Sequence, residues 1–205
     1  MIAALFVQTD GHYFNLPGVD PWDEARDARK YSGPYPVVAH PPCARWCRLA
    51  GLVEKRWGYK RGEDDGCFEA ALKAVRTYGG VLEHPAHSDA WAKFNLPAPL
   101  PGYWQRGICG GWVCHVEQGR YGHRAKKATW LYAFGCTDVP TIDLSIIPDG
   151  ESQALVSWCG NNVASGEIRP RLGKKEASST PVAFRDVLID IARQCHSAHP
   201  TPPFT

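Results

Sequence analysis

Short apolar runs, each cut off by proline or glycine, alternate along this chain with stretches of helical periodicity. Ile2 to Val7 is continuously apolar and predicts a buried first strand. Gly18-Val19-Asp20-Pro21-Trp22-Asp23 reads as a turn leading into a polar helix at Glu24 to Lys30. Pro36-Val37-Val38-Ala39 is short and β-branched, and Pro41 and Pro42 end regular structure just after His40. Cys43 therefore stands at the carboxyl end of a central strand, where open α/β sheets hold their ligand crevices.

Between Asp64 and Tyr78 the apolar positions Cys67, Phe68, Ala71, Leu72 and Val75 recur at helical spacing, and Gly79-Gly80 stops that helix. Gly80-Val81-Leu82-Glu83 is the next strand, and Pro85 leaves Glu83 and His84 at its tip. A strand, a helix of suitable length and a second strand predict a parallel pair, with Glu83 beside Cys43. Ala92 to Gly111 is rich in proline, glycine and aromatic residues and reads as an irregular wall. Trp112 to Glu117 and Ala128 to Phe134 read as strands flanking a basic turn, and residues 136 to 173 are the least regular part. A last helix, Val182 to Cys195, is expected to start with Thr180 as N-cap and Pro181 at its first position.

With 205 residues, 44% of them hydrophobic and 21% charged, the chain is long enough for one ordered domain with its own core. Residues 1–196 are expected to form that domain and 197–205 a fraying tail. The apolar start is too short to span a bilayer and lacks signal-peptide features, so a cytoplasmic protein is expected. Eight scattered cysteines without an export signal point to reduced thiols rather than a disulfide framework. Net charge is only +2, but the cations cluster: Arg120, Arg124, Lys126 and Lys127 form one group, and Arg169, Arg171, Lys174 and Lys175 another. Such clusters suit phosphate contacts.

Three elements carry candidate chemistry. A cysteine displayed by two prolines suits nucleophilic attack, with Arg45 and His40 able to supply a positive field for a thiolate. Glu83, partly desolvated at a strand tip, is expected to have a raised pKa and to protonate a ring nitrogen. The basic turn from Glu117 to Lys127 offers cations that can hold a phosphate or polarise a carbonyl oxygen.

The order of these elements resembles the cytosine-5 DNA methyltransferase family, in a small, degenerate form of phage or mobile-element type. His40-Pro41-Pro42-Cys43 is similar to its Pro-Cys motif and Glu83-His84-Pro85 to its Glu-Asn-Val motif. Tyr121-Gly122-His123-Arg124-Ala125-Lys126-Lys127 is similar to its basic motif before a strand, and Ser179-Thr180-Pro181 stands where the family's last motif does. The resemblance implies an open, Rossmann-like sheet with flanking helices. It implies Cys43 as nucleophile, Glu83 as acid, Arg124 or Arg120 at the ring carbonyl, and S-adenosylmethionine as donor. The donor would lie against Phe6, Asp10, Gly11, Asp20, Trp22, Asp23, Pro41 and Thr180.

The chain departs from that family in two places. Leu5 to Gly11 holds one glycine where the family has a phenylalanine-glycine-glycine loop, and the stretch before Ser179 is too short for a large target-recognition domain. The expected substrate is single-stranded or flipped cytosine in DNA, with a protein partner if a sequence is to be read. Trp91, Tyr103, Trp104 and Trp112 are candidates for stacking on bases. Two other readings stay open: a nucleotide-level pyrimidine carbon-5 transferase resembling the thymidylate synthase group, and a non-catalytic phage accessory that binds DNA or a host protein. A zinc site is a third: Cys109, Cys114 and His115 cluster, and Cys43 and Cys47 could chelate, although neither set has the paired two-residue spacing.

Overall fold

A computed structural model describes residues 1–47, 50–101, 103–107, 110–142 and 172–195. Seven strands form one mixed sheet. These are β1 (Ile2–Leu5), β2 (Val19–Trp22), β3 (Val37–Ala39), β4 (Gly80–Pro85), β5 (Gln105–Arg106), β6 (Trp112–Glu117) and β7 (Ala128–Phe134), in the order β2-β1-β3-β4-β7-β6-β5. The first four strands are parallel and the last three continue the sheet through antiparallel pairings. The chain passes from β1 outward to β2 and then back to the other side of β1, to β3. The strand order thus reverses beside β1, and crevices in open sheets form at the carboxyl ends of strands at such a point.

The helices are α1 (Ala50–Trp57), α2 (Cys67–Tyr78), α3 (Asp89–Lys93), α4 (Lys174–Ser178) and α5 (Val182–Gln194). Helix α2 lays Phe68, Ala71, Leu72 and Val75 onto one sheet face with Leu5, Ala39 and Leu82. On the other face Phe184, Leu188, Ile191 and Ala192 of α5 meet Ala4, Val38, Val81 and Leu131. Strands β1 and β3 are buried on both faces, which is why their sequences are continuously apolar rather than alternating. Strand β4 begins where a side chain has no room: a Cβ on Gly80, whose φ is +124°, would overlap the Val37 carbonyl.

Several sequence expectations change here. Val19–Trp22 is an edge strand beside β1, not a turn. The helix expected over Glu24 to Lys30 is only a 3-10 turn, Ala28–Lys30. Asp27 sits at φ 53°, a left-handed conformation that cannot continue an α-helix from Glu24. Helix α5 begins at Val182, as expected, but Pro181 holds the cap position with no side-chain cap, so Thr180 does not cap it. Cys136 and Cys195, ends of β7 and α5 brought together across the second core, form a disulfide where reduced thiols were expected. The strand pair expected at Trp112–Glu117 and Ala128–Phe134 is present in full, and among the described residues of the wall after Lys93 the named element is the two-residue β5. Among the described residues no helix is long and apolar enough to cross a membrane. Arg169, Arg171, Cys109 and most of the 136–173 stretch lie outside the described residues, as does the expected tail.

Candidate active site

Parallel pairing of β3 and β4, with Val38 beside Val81 and Ala39 beside Leu82, delivers His40 and Glu83 to the same carboxyl edge. Proline then fixes the exit. Pro41 is buried, Pro42 is exposed, and Cys43 follows half-buried. Its carbonyl accepts from the backbone N–H groups of Trp46 and Cys47 at 2.9 Å each, which turns the chain sharply behind the thiol. The Trp46 indole, itself buried, donates to Asp64 Oδ2 at 2.8 Å, and the same oxygen accepts from Phe68 N at the start of α2. The turn that carries Cys43 is therefore pinned to the helix that joins β3 and β4.

Both carboxylate oxygens of Glu83 have partners. His40 Nδ1 lies 2.9 Å from Oε2, and Gln118 Nε2 donates to Oε1 at 2.9 Å while also reaching Thr129 Oγ1 at 2.9 Å. An ionised carboxylate can only accept, so His40 Nδ1 carries the shared proton. On the far side of the ring, Tyr13 Oη lies 2.8 Å from Nε2. Tyr13, His40, Glu83, Gln118 and Thr129 thus form one continuous buried chain of polar groups.

Burial alone would push the Glu83 carboxyl up, which is the direction expected from the sequence. The hydrogen bond and charge of His40, with the charges of Lys127 and His84, outweigh it and hold the carboxyl down at about 2. Glu83 is a carboxylate in the free site, correcting the expectation of a raised pKa. Cys43 moves the other way. Burial, then the proximity of Cys47 and Glu83, push its thiol up to about 11, with Lys127 opposing. Burial also raises the Tyr13 hydroxyl well above its ordinary value, so it stays protonated.

Lys127 is the cation of the basic turn that acts on both Glu83 and Cys43. Burial lowers its pKa while Glu83 and Cys43 favour its charge, and its ammonium donates to the carbonyls of Ser179 at 2.6 Å and Ser178 at 3.2 Å. The segment just before Thr180 is tied to the site by that contact. Arg124 and Arg120, expected at the ring carbonyl, are both on the surface: Arg124 pairs with Glu176 at 2.8 Å, and Arg120 is exposed. Tyr13 lies in a loop with no helical or strand pattern. Gln118 follows an alternating strand, so neither gave a signal of burial beside Glu83.

Of the residues expected around a cofactor, Phe6, Asp10 and Gly11 follow β1, Asp20 and Trp22 lie on β2 with Asp23 just beyond it, Pro41 follows β3 and Thr180 precedes α5. Phe6 and Asp10 turn the chain at φ 58° and 55°, and a Cβ on Gly11 would come within 2.8 Å of the Gln8 carbonyl. Their polar groups, however, serve one another. Asp20 accepts from Arg26 at 2.6 Å and from the Trp22 indole at 2.8 Å, while the Arg26 guanidinium covers the Trp22 ring at 4.0 Å. Buried Asp23 takes the Thr9 hydroxyl at 2.7 Å and the Arg26 amide at 3.1 Å, and these bonds hold its carboxyl below the usual range.

Of the aromatic candidates, Trp91 is core, stacked near His84 and tilted against Trp130. Trp104 and Trp112 are partly buried against the α5 side, and Tyr103 is exposed. Among the described residues no group of three or more His, Cys, Asp or Glu side chains is placed to hold a metal ion, and His115 Nδ1 accepts from the Trp130 indole. Comparison with protein families, with curated proteins and with solved structures found no match to this chain.

Proposed function

We propose that this protein activates carbon 5 of a cytosine in single-stranded or flipped-out DNA by adding the Cys43 sulfur to carbon 6, in the manner of the cytosine-5 DNA methyltransferases that its motifs resemble. The observation that carries the reading is the placement of Cys43 and Glu83 at the carboxyl ends of the neighbouring parallel strands β3 and β4, with Lys127, just before the antiparallel β7, acting on both. In the step, the thiol first gives its proton to water, and the Lys127 charge steadies the thiolate. The sulfur lone pair forms the S–C6 bond and the C5–C6 electron pair shifts through the ring toward N3. N3 takes a proton through Glu83, which leaves carbon 5 nucleophilic. Carbon 5 takes a proton from water, its original hydrogen then leaves to water as the sulfur is eliminated as thiolate, and N3 gives back its proton to restore the ring.

S-adenosylmethionine would supply a methyl cation equivalent at carbon 5. The side chains at the expected site fit it poorly: Asp20 and Asp23 are engaged by Arg26, Trp22 and Thr9, and one face of Trp22 is covered. No step is therefore derived through it. The decisive test needs no donor. Single-stranded DNA tritiated at cytosine carbon 5 should release tritium to water in the presence of the protein and not with Cys43→Ser.

One observation favours a second reading. A thiol pushed up to about 11 is almost wholly protonated at neutral pH, as suits a protein that binds a base without attacking it. DNA binding with no tritium release would establish that non-catalytic reading in place of the first.

A further inference from the structure

A carboxylate whose two oxygens already accept from His40 and Gln118 poses a problem for cytosine. The Watson–Crick edge of cytosine offers an acceptor at N3 and a donor at the exocyclic amine, so N3 and an ionised Glu83 face each other lone pair to lone pair. Uracil and thymine carry a hydrogen on N3 and can donate to the carboxylate directly. Cytosine can dock against Glu83 only if a proton lies between them. His40 has its Nδ1 2.9 Å from Glu83 Oε2, and Tyr13 Oη sits 2.8 Å from Nε2.

We propose that His40, backed by Tyr13, is the proton reservoir of the site, passing its Nδ1 proton to Glu83 when cytosine docks so that Glu83 becomes a donor to N3. The proposal rests on the pyrimidine reading above and gives its site a mechanism for choosing cytosine. The proton count closes. The imidazolium loses the Nδ1 proton, the carboxylate gains it, and the ring is left neutral with its remaining hydrogen on Nε2. The Tyr13 oxygen accepts that Nε2–H before and after the transfer, and the new carboxyl O–H turns from Nδ1 toward N3 so that Glu83 donates to the base. Tyr13 is kept neutral and therefore available as this acceptor, since burial is the main influence on it.

The groups around this relay come from several elements. Glu83 and His84 lie on β4, Lys127 precedes β7, Cys43 follows β3, and Arg185 and Asp186 of α5 act on Tyr13 with opposite signs. Lys127 acts on Glu83 after His40, but its ammonium is already donating to the Ser178 and Ser179 carbonyls. His40 is the group bonded to the carboxylate itself. It is a positioning and proton-supplying residue, since it reaches the base only through Glu83.

The test is calorimetric titration with two adenine-tract oligonucleotides, one carrying a single cytosine and the other a single uracil at the same place. Each is run in buffers of different ionisation enthalpy between about pH 5.5 and about pH 8, the range in which imidazoles titrate. With uracil no proton is taken up at any pH. With cytosine, uptake is near zero where His40 supplies the proton and about one where solvent supplies it. His40→Asn keeps an N–H toward Glu83 but cannot hold the extra proton. Its cytosine complex should take about one proton from solvent throughout, with affinity falling about tenfold per pH unit. Equal uptake for cytosine and uracil overturns the proposal even if the variant does not fold. A folded His40→Asn that matches the wild-type profile overturns it too, by making His40 merely structural. If neither oligonucleotide binds, the pyrimidine reading itself falls and takes the proposal with it.

Discussion

His40 Nδ1 lies 2.9 Å from Glu83 Oε2, joining the tips of two parallel strands through residues 43 positions apart in the chain. The side chains are 13% and 10% exposed, so the bond is shielded from water. Its strength depends on Glu83 remaining charged. Above the unfolded carboxylate value of about 4.3 the contribution is complete, and it is lost as pH falls toward about 2, where the folded carboxyl takes a proton. His40→Ala leaves a buried carboxylate without its main partner, which costs about 3 to 5 kcal/mol in comparable pairs. Urea unfolding should show that deficit at pH 7 and a much smaller one near pH 2.5. A deficit independent of pH would mean that His40 contributes by packing alone.

His84 makes the opposite kind of contribution. It is fully buried, edge-on to Phe68 and stacked near Trp91, and neither ring nitrogen makes a hydrogen bond of good geometry, though the Pro42 carbonyl favours the charged ring. Burial pushes its pKa down to about 4. The unfolded chain binds a proton on this residue below about 6.5, so the wild type loses stability as pH falls from there toward 4. His84→Phe removes that loss. Thermal unfolding should show the variant gaining on the wild type steadily over this interval. Parallel curves for the two proteins would mean that His84 is not held neutral.

Sequence legibility followed the range of the interactions. Residues whose placement depends on strand ends were placed well, because proline at 41, 42 and 85 marks where β3 and the apolar run of β4 stop, whatever surrounds them. The proximity of Cys43 to Glu83 follows from the connection through α2. What failed was anything set by partners remote in sequence. Glu83 was expected to be a neutral acid because burial is legible from an apolar strand, while its bond to His40 and the amide of Gln118 are products of the assembled sheet. Arg124 and Lys127 look equivalent in sequence. Only the return of the chain at Ser178 and Ser179 turns one inward, while Glu176 engages the other.

That division between the cations can be measured. Lys127→Met removes the charge that opposes the upward shift of the Cys43 thiol and supports the ionised Glu83. Tritium release should fall at least about tenfold, or about 1.4 kcal/mol in the barrier. Arg124→Gln breaks an exposed pair with Glu176, worth about 0 to 1 kcal/mol. Release should stay within about twofold of wild type, a change under about 0.5 kcal/mol. Equal losses in the two variants would return the ring-carbonyl role to Arg124.

DNA affinity should divide along the same line. The chain's net charge is only +2, so attraction to a phosphate backbone has to come from local clusters. Arg120, Arg124 and Lys126 project from the turn into solvent, whereas Lys127 faces Glu83 and the Ser179 carbonyl. Each lysine or arginine that neutralises a phosphate of a single strand contributes about 0.7 to the slope of log affinity against log salt. Replacing Arg120 and Lys126 together by glutamine should flatten that slope by roughly 1.4 and weaken binding to all sequences alike. Lys127→Met should leave the slope unchanged while lowering tritium release, because its charge acts on the base-binding site rather than on the backbone. A slope that falls with Lys127→Met and stays fixed when Arg120 and Lys126 are neutralised would place the phosphate contact inside the cleft. The substrate would then be a free nucleotide, with its single phosphate on Lys127, in place of a DNA strand.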